Sequence, residues 1–264
     1  MLSNCQAVAQ QYPAATSPRH SCFYVSPLCL TSQLPGSIRT LTDQTDIARE
    51  PAGPSSDKQR VLAALRAATS QQHELTHQLM PLSVNTVSRG DYVAHLGILR
   101  EWLGQLEAWL QHFSDGPQAA HVVSPVNRLA LIEADLSHPC VTAQERIAMP
   151  PANEYLNSEQ LNWRSRSESA AYRWGVCYVI EGSQLGGAVL YDRLKERLAP
   201  HPLDYLALGR GTPGKRWPAF IQAMCAGLDT EAKIQEACRG ASDAFAHLIE
   251  LVPCSALACG KNAD

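Results

Sequence analysis

Two stretches carry residues whose types and spacing suit chemistry. The first is His73-Glu74-Leu75-Thr76-His77. On a helix, this His-Glu-x-x-His spacing puts two imidazoles on one face. There they can bind zinc while the glutamate acts as general base on the metal-bound water. The second is Gly182-Ser183-Gln184-Leu185-Gly186-Gly187, inside the apolar run 172–198. Each glycine in a helix interior costs about 1 kcal/mol against alanine. A helix face stripped of side chains offsets that cost where another backbone, or a flat ligand, approaches closely.

The zinc reading lacks its usual continuation. Gln78-Leu79-Met80-Pro81 follows the second histidine, where a metzincin has a glycine and a third histidine. Asn153-Glu154-Tyr155-Leu156-Asn157 is the nearest candidate for a downstream ligand, and it lies in a proline-flanked stretch. His73 taken alone reads differently. At 100° per residue, Leu62, Arg66, Thr69, His73 and Met80 form a line beside the main apolar stripe of their helix. A histidine there offers a neutral imidazole nitrogen to a metal in a cavity, and haem iron is commonly held by one such proximal histidine. The His73 helix and the glycine helix then make two walls of a slot for a planar macrocycle.

These walls belong to a helical pattern. Periodicity begins at Asp57, or at Ser55 or Ser56 just before it, each a suitable N-cap. Val61, Leu65, Ala68, Leu75 and Leu79 share one face, and Pro81 closes the helix. A second helix is expected after Asp91, with Tyr92, Leu96, Leu99, Leu103, Leu106, Leu110 and Phe113 at alternating steps of four and three. Stretches 125–136, 142–149, 158–198, 217–228 and 230–252 complete the set. In the last, Ala237, Ala241, Ala244, Phe245, Leu248 and Ile249 form a stripe. With no period-two alternation and no Asn-Gly hairpin signal, the fold class is all-α. The helical domain spans 57–252, followed by a short tail, 253–264. Residues 1–56 hold no lysine and are interrupted by Pro13, Pro18, Pro27, Pro35, Pro51 and Pro54, so they read as a disordered extension without assigned chemistry.

Composition narrows the class further. Over 264 residues, 45% hydrophobic and 18% charged content describe a globular chain with a sizeable core. A formal charge of −3 argues against an electrostatic grip on nucleic acid or anionic membrane. No apolar run is long enough to span a bilayer. The start, Met-Leu-Ser-Asn-Cys-Gln, lacks the basic and apolar regions of a signal peptide. Nine scattered cysteines with no Cys-x-x-Cys pair fit a reduced setting, so a cytoplasmic location is expected.

Leu65-Arg66-Ala67-Ala68-Thr69-x-x-x-His73 is similar to the proximal-helix motif of haem oxygenases. Tyr178-Val179-Ile180-Glu181-Gly182-Ser183-Gln184-Leu185-Gly186-Gly187-Ala188-Val189 resembles their distal-helix motif in its bacterial form. Gly214-Lys215-Arg216-Trp217-Pro218-Ala219-Phe220 and the closing helix with Ala244-Phe245 fit the same pattern. The resemblance covers 57–252 in the right order and points to the branch associated with bacteriophytochromes.

The resemblance implies a helical domain with haem held between a proximal helix and a kinked distal helix. His73 is the implied iron ligand, with Thr69 beside it. Gly182, Gly186 and Gly187 are implied to let the distal helix close over the haem and crowd dioxygen toward one meso carbon. The implied products are biliverdin, carbon monoxide and ferrous iron, with the bilin passed to a bacteriophytochrome. Electrons are implied to come from a ferredoxin or flavoprotein reductase, since the chain has neither a Rossmann fingerprint nor iron–sulfur spacing. Mammalian-type enzymes place an aspartate where Ser183 stands. A hydroxyl orders water but carries no charge, so Ser183, Gln184 and solvent are the candidates for the proton route. Arg173, Tyr178, Lys215 and Arg216 are the candidate partners of the haem propionates.

Two other readings stay open: a haem-oxygenase-like protein that binds haem or a partner without turnover, and a zinc hydrolase using His73 and His77. The remaining features are read as ordinary. His95, His112, His121, His138, His201 and His247 show no ligand spacing. Cys177 lines the slot or packs as a small apolar group. Trp102, Trp109, Trp174 and Trp217 belong to the core, and Arg128 with Asp135 is expected to form a structural ion pair.

Overall fold

The computed structural model describes residues 54–119, 124–147, 167–211 and 213–253, with side chains for all of these except 54–56 and 211–215. Eight α-helices and no strand occur among the described residues. They are α1 (Pro54–Leu79), α2 (Arg89–Leu110), α3 (Arg128–Ser137), α4 (Ala143–Ile147), α5 (Ala170–Leu194), α6 (Asp204–Gly211), α7 (Pro213–Gly227) and α8 (Glu231–Glu250). Short 3₁₀ turns stand at Pro81–Ser83 and Gly116–Gln118. No described helix is long and apolar enough to cross a membrane. The all-α class expected from the periodicity is the class observed. The proposed extension falls outside the described residues up to position 53, as does the tail from 254, and α1 already begins at Pro54.

Local chemistry sets the boundaries. Ser88 caps α2: its Oγ accepts from Asp91 N–H, and the Asp91 carboxylate accepts from Ser88 N–H at 2.8 Å. This capping box starts α2 at Arg89, ahead of the expected start, because Asp91 is its third residue and not its cap. Ser169 caps α5 by accepting from Tyr172 N–H at 3.1 Å. A helix running unbroken from 158 is therefore corrected to one that begins at Ala170, with 158–166 outside the described residues. Thr230 caps α8 in the same way, through Lys233 N–H. Each such cap is worth about 1 kcal/mol.

α8 is the floor on which the site is built. Both α1 and α5 pack along it, and α7 touches both of them, while α1 and α5 share no substantial contact with each other. The α5–α8 crossing is backbone on backbone. A Cβ on Gly175 would stand 1.8 Å from Ala237 O, and one on Gly240 would stand 2.1 Å from Tyr172 O. Neither position admits a side chain. On the other side, α2 buries Tyr92, Val93, Leu96, Trp102, Leu103 and Leu106. Trp102 is fully buried, and its Nε1–H donates to Ala244 O at 2.9 Å, so a core tryptophan also joins α2 to α8.

The Arg128–Asp135 ion pair does not form. The fully buried Asp135 carboxylate accepts from Tyr92 Oη at 2.6 Å and from the N–H groups of Asp204 and Tyr205 at the start of α6. Asp135 is thus a cap supplied from another helix, and its negative charge suits a helix N-terminus. Arg128 has other partners.

Candidate functional site

His73 sits on the flank of α1, half-buried, with its ring edge-on to Phe245 of α8 at 6.0 Å. Burial lowers its pKa, the nearby His77 lowers it further, and Glu74 works in the opposite direction. The net shift favours a neutral imidazole with a free lone pair at neutral pH, the form a metal needs. One turn earlier Thr69 is buried, and its hydroxyl donates to Leu65 O at 2.8 Å. That donor is used within α1, so Thr69 presents its methyl group and not a hydroxyl proton. Two turns before His73, Arg66 leaves its buried Nε without a hydrogen-bond partner.

α5 is helical throughout, glycine-rich stretch included. Glycines that pack tightly lie elsewhere, at Gly175 and Gly240 and at Gly209 of α6, where a Cβ would stand 2.2 Å from Gln184 O. At Gly182 a Cβ would meet only the Trp217 ring, at 3.7 Å, and at Gly187 only Leu206, at 3.7 Å. Both are ordinary van der Waals distances. Close packing of helices, the common reason for interior glycines, therefore does not require glycine at 182 or 187. Gly187 is buried against α6, whereas Gly182, Ser183 and Gly186 are half-exposed.

Ser183 donates its hydroxyl proton to Ile180 O at 2.8 Å, leaving its oxygen to accept, with the Tyr205 hydroxyl close by. Next to it the buried Gln184 donates to Tyr205 Oη at 3.2 Å. Tyr178, one turn before Gly182, is buried with its hydroxyl unpartnered and its ring 5.7 Å from that of Trp217. Burial raises the Tyr178 pKa, and the adjacent Arg66 charge opposes that rise. Arg66 of α1 and Tyr178 of α5 thus face each other across the two helices, close enough to interact. The sequence placed Arg66 on the His73 line but gave it no role.

Two arginines expected to meet a ligand are committed to the protein instead. Arg173 is buried, with its charge paired to Asp115 at 2.6 Å, a hydrogen bond to Gln118 Oε1 at 2.7 Å, and its guanidinium 4.1 Å over the Phe113 ring. Arg216 grips Glu181 with two hydrogen bonds, Nε to Oε2 at 2.7 Å and Nη2 to Oε1 at 2.6 Å. The side chain of Lys215 lies outside the described set. Cys177 accepts from Gln118 Nε2 at 3.4 Å, and burial pushes its thiol up to about 12, which keeps it protonated and inert.

Sequence reasoning missed the anchor of α5. Arg128 of α3 donates to Glu181 Oε1 at 2.7 Å and stands 3.7 Å from Glu107, so Glu181 receives two arginines. Burial works to raise the Glu181 pKa, but the Arg216 hydrogen bond and the Arg128 and Arg216 charges outweigh it and hold the carboxyl below its usual range. One signal was available: Glu181 is the sole charged residue between Arg173 and Asp192.

Neither His73 nor His77 belongs to a group of three metal-ligating side chains among the described residues. Segment 153–157, the suggested source of a third ligand, lies outside them.

A family model described as "Heme oxygenase" matches residues 59–253. A protein named "Heme oxygenase" from Xanthomonas campestris pv. campestris (strain 8004) is 40% identical over 83 residues, which is 31% of this chain and 50% of that protein. The match thus spans about half the length of this relative. The family model, by contrast, runs from the first turns of α1 past the end of α8, through both α1 and α5, and the chain belongs to the haem oxygenase family, whose members degrade haem.

Proposed function

We propose that this chain binds haem between α1 and α5 and cleaves it oxidatively. The observation that carries this reading is the relation between the two walls. His73 and the half-exposed face of Gly182, Ser183 and Gly186 stand on helices that share α8 as a floor without packing on each other. The donor set suits the group: a neutral imidazole, a helix face without bulky side chains, and the Arg66 guanidinium with the Tyr178 hydroxyl beside it for a carboxylate.

In this reading His73 holds the iron, and Phe245 steadies its ring from α8. Gly182 and Gly186 leave room for a flat ring and a small diatomic molecule. Arg66 and Tyr178 take over the propionate role from Arg173 and Arg216. Ser183 holds a water through its lone pairs, and Gln184 of α5 with Tyr205 of α6 backs that water. When bound, haem activates dioxygen and is itself the substrate, giving biliverdin, carbon monoxide and ferrous iron with electrons from a ferredoxin or flavoprotein reductase. Supply of the bilin to a bacteriophytochrome in the cytoplasm completes the proposal.

The test is a hemin titration of the purified chain followed by a reductant, with the visible spectrum recorded. Saturation of a Soret band at one haem per chain, then its replacement by the broad red absorption of biliverdin, is expected. A Soret band that persists through reduction in air would instead assign a haem-binding role without turnover. No Soret shift at all would remove haem from the reading.

A further inference from the structure

His138 caps the C-terminus of α3 and leads into Pro139 and Cys140, and the turn that leads into α6 carries His201, some sixty residues later in sequence. The fold brings them together. One ligand atom from each of His138, Cys140 and His201 lies within 4.8 Å of the other two. His138 Nδ1 is 3.0 Å from Cys140 Sγ, and the two imidazole rings are 5.1 Å apart between centroids. We propose that these three side chains form a zinc-binding site, separate from the space between α1 and α5.

The surroundings of His201 are those of a metal-ligating histidine. Its side chain is fully buried, and Nε2 faces Asp135 O at 2.9 Å, so Nε2–H donates and Nδ1 keeps its lone pair. A backbone carbonyl on the far ring nitrogen is the usual way a ligating imidazole is oriented. The Asp135 carboxylate stands 4.0 Å from Nδ1. Its oxygens are taken by Tyr92, Asp204 and Tyr205, so it favours a cation through its charge and not as a ligand. Nδ1 now accepts Leu203 N–H at 3.1 Å, and coordination replaces that one hydrogen bond. Leu203 itself has φ 59°, a left-handed conformation that branched residues adopt rarely and that clusters at ligand clamps.

Cys140 is also set up for the role. It is half-buried, and the Arg89 guanidinium, neutralised by Glu145 at 3.0 Å, lies beside its sulfur. Zinc takes this sulfur as the thiolate and displaces the thiol proton as it binds. Thiolate and imidazole together select zinc over oxygen-seeking ions, in a tetrahedral site whose fourth position is open to water. Nitrogen and sulfur ligands of such a site stand ~3.5 Å apart, so side-chain adjustments of about an ångström close the set. A bound zinc would fasten the end of α3 to the turn before α6.

Cobalt(II) reports on this site because thiolate ligation gives it an intense charge-transfer absorption in the near ultraviolet. The full chain, reduced and stripped of metal, is titrated with Co²⁺ and then with Zn²⁺. One cobalt per chain with the thiolate band, displaced by one equivalent of Zn²⁺, is expected. The band should vanish in Cys140→Ala, weaken at least tenfold in affinity in His138→Ala, and be unchanged in His77→Ala. Cys140→Ser and His138→Gln give the same readout should either alanine variant fold poorly. Absence of the band in the parent chain, or its survival in Cys140→Ala, would overturn the proposal.

Discussion

Arg128 and Glu181 meet at 2.7 Å with side chains only 7% and 9% exposed, tying the start of α3 to the turn of α5 that leads into Gly182. Arg216 closes on the same carboxylate from α7. Three helices thus converge on one anion, immediately before the first glycine of the site.

Glu181→Ala should therefore lower the unfolding free energy by about 3 kcal/mol at pH 7, because it leaves the buried Arg128 with only the more distant Glu107, 3.7 Å away, to oppose its charge. Asp192→Ala, which removes a half-exposed pair with Lys195, should change it by less than ~1 kcal/mol. Urea unfolding of both variants decides this, and equal losses would deny Glu181 the anchoring role. Because the folded carboxyl is held below its usual range, its contribution is present above about pH 4.5 and fades as the pH falls through the lower, folded value.

A second acid effect comes from His95. It is buried in α2 with Nδ1 unpartnered, and burial lowers its pKa to about 4. The unfolded chain takes up that proton near pH 6.5 while the folded chain resists it, so stability falls between pH 6.5 and 4 and levels off below. The loss should be about 3 kcal/mol. His95→Gln should flatten this limb in unfolding measurements across that range; an unchanged slope would assign the acid sensitivity to other groups.

Glycine substitutions should separate packing from pocket. Gly175→Ala drives a methyl into Ala237 O and should prevent folding or cost several kcal/mol, a backbone clash with no flexible neighbour to yield. Gly182→Ala fits beside Trp217 and should raise stability by up to ~1 kcal/mol through helix propensity, while weakening haem binding or turnover. Thermal melts paired with hemin titrations check both. A destabilised Gly182→Ala would return that glycine to the packing explanation.

For the iron ligand, His73→Ala should abolish the spectrum of histidine-ligated ferric haem, and His77→Ala should leave it largely intact. Equal damage from the two variants would point to a shared two-histidine metal site.

The propionate assignment has its own signature. Arg66→Ala and Tyr178→Phe should each weaken hemin affinity by roughly tenfold, the worth of one charge-assisted hydrogen bond, with only a small drop in melting temperature from the loss of their mutual contact. Arg173→Ala should do the reverse, since Asp115, Gln118 and Phe113 occupy that guanidinium.

The helical class and most helix cores were legible because their apolar spacing is local. α6 was not: it is eight residues long, contains Gly209, and is separated from α7 by a single residue. Its start depends on Asp135, some seventy positions earlier, and no local pattern records that. The site divides along the same line. His73 and the glycines stood out by type and spacing. By contrast, the pairing of Arg128 and Arg216 with Glu181, the commitment of Arg173 to Asp115, and the meeting of His138 with His201 all depend on chain crossings. Residue type alone made Arg173 and Arg216 look like ligand partners; only position shows their charges already spent.

The bare backbone crossing, where Gly175 meets Ala237 and Gly240 meets Tyr172, also works as a gauge mark. It fixes the axial and rotational setting of α8, from which Phe245 is reached five residues later, against His73. One residue inserted between Gly240 and Phe245 would turn everything downstream by about 100° and advance it by ~1.5 Å. The phenyl ring would swing away from the imidazole while the crossing itself stayed intact. Length in that one turn of α8 is therefore as tightly prescribed as any side chain in the site.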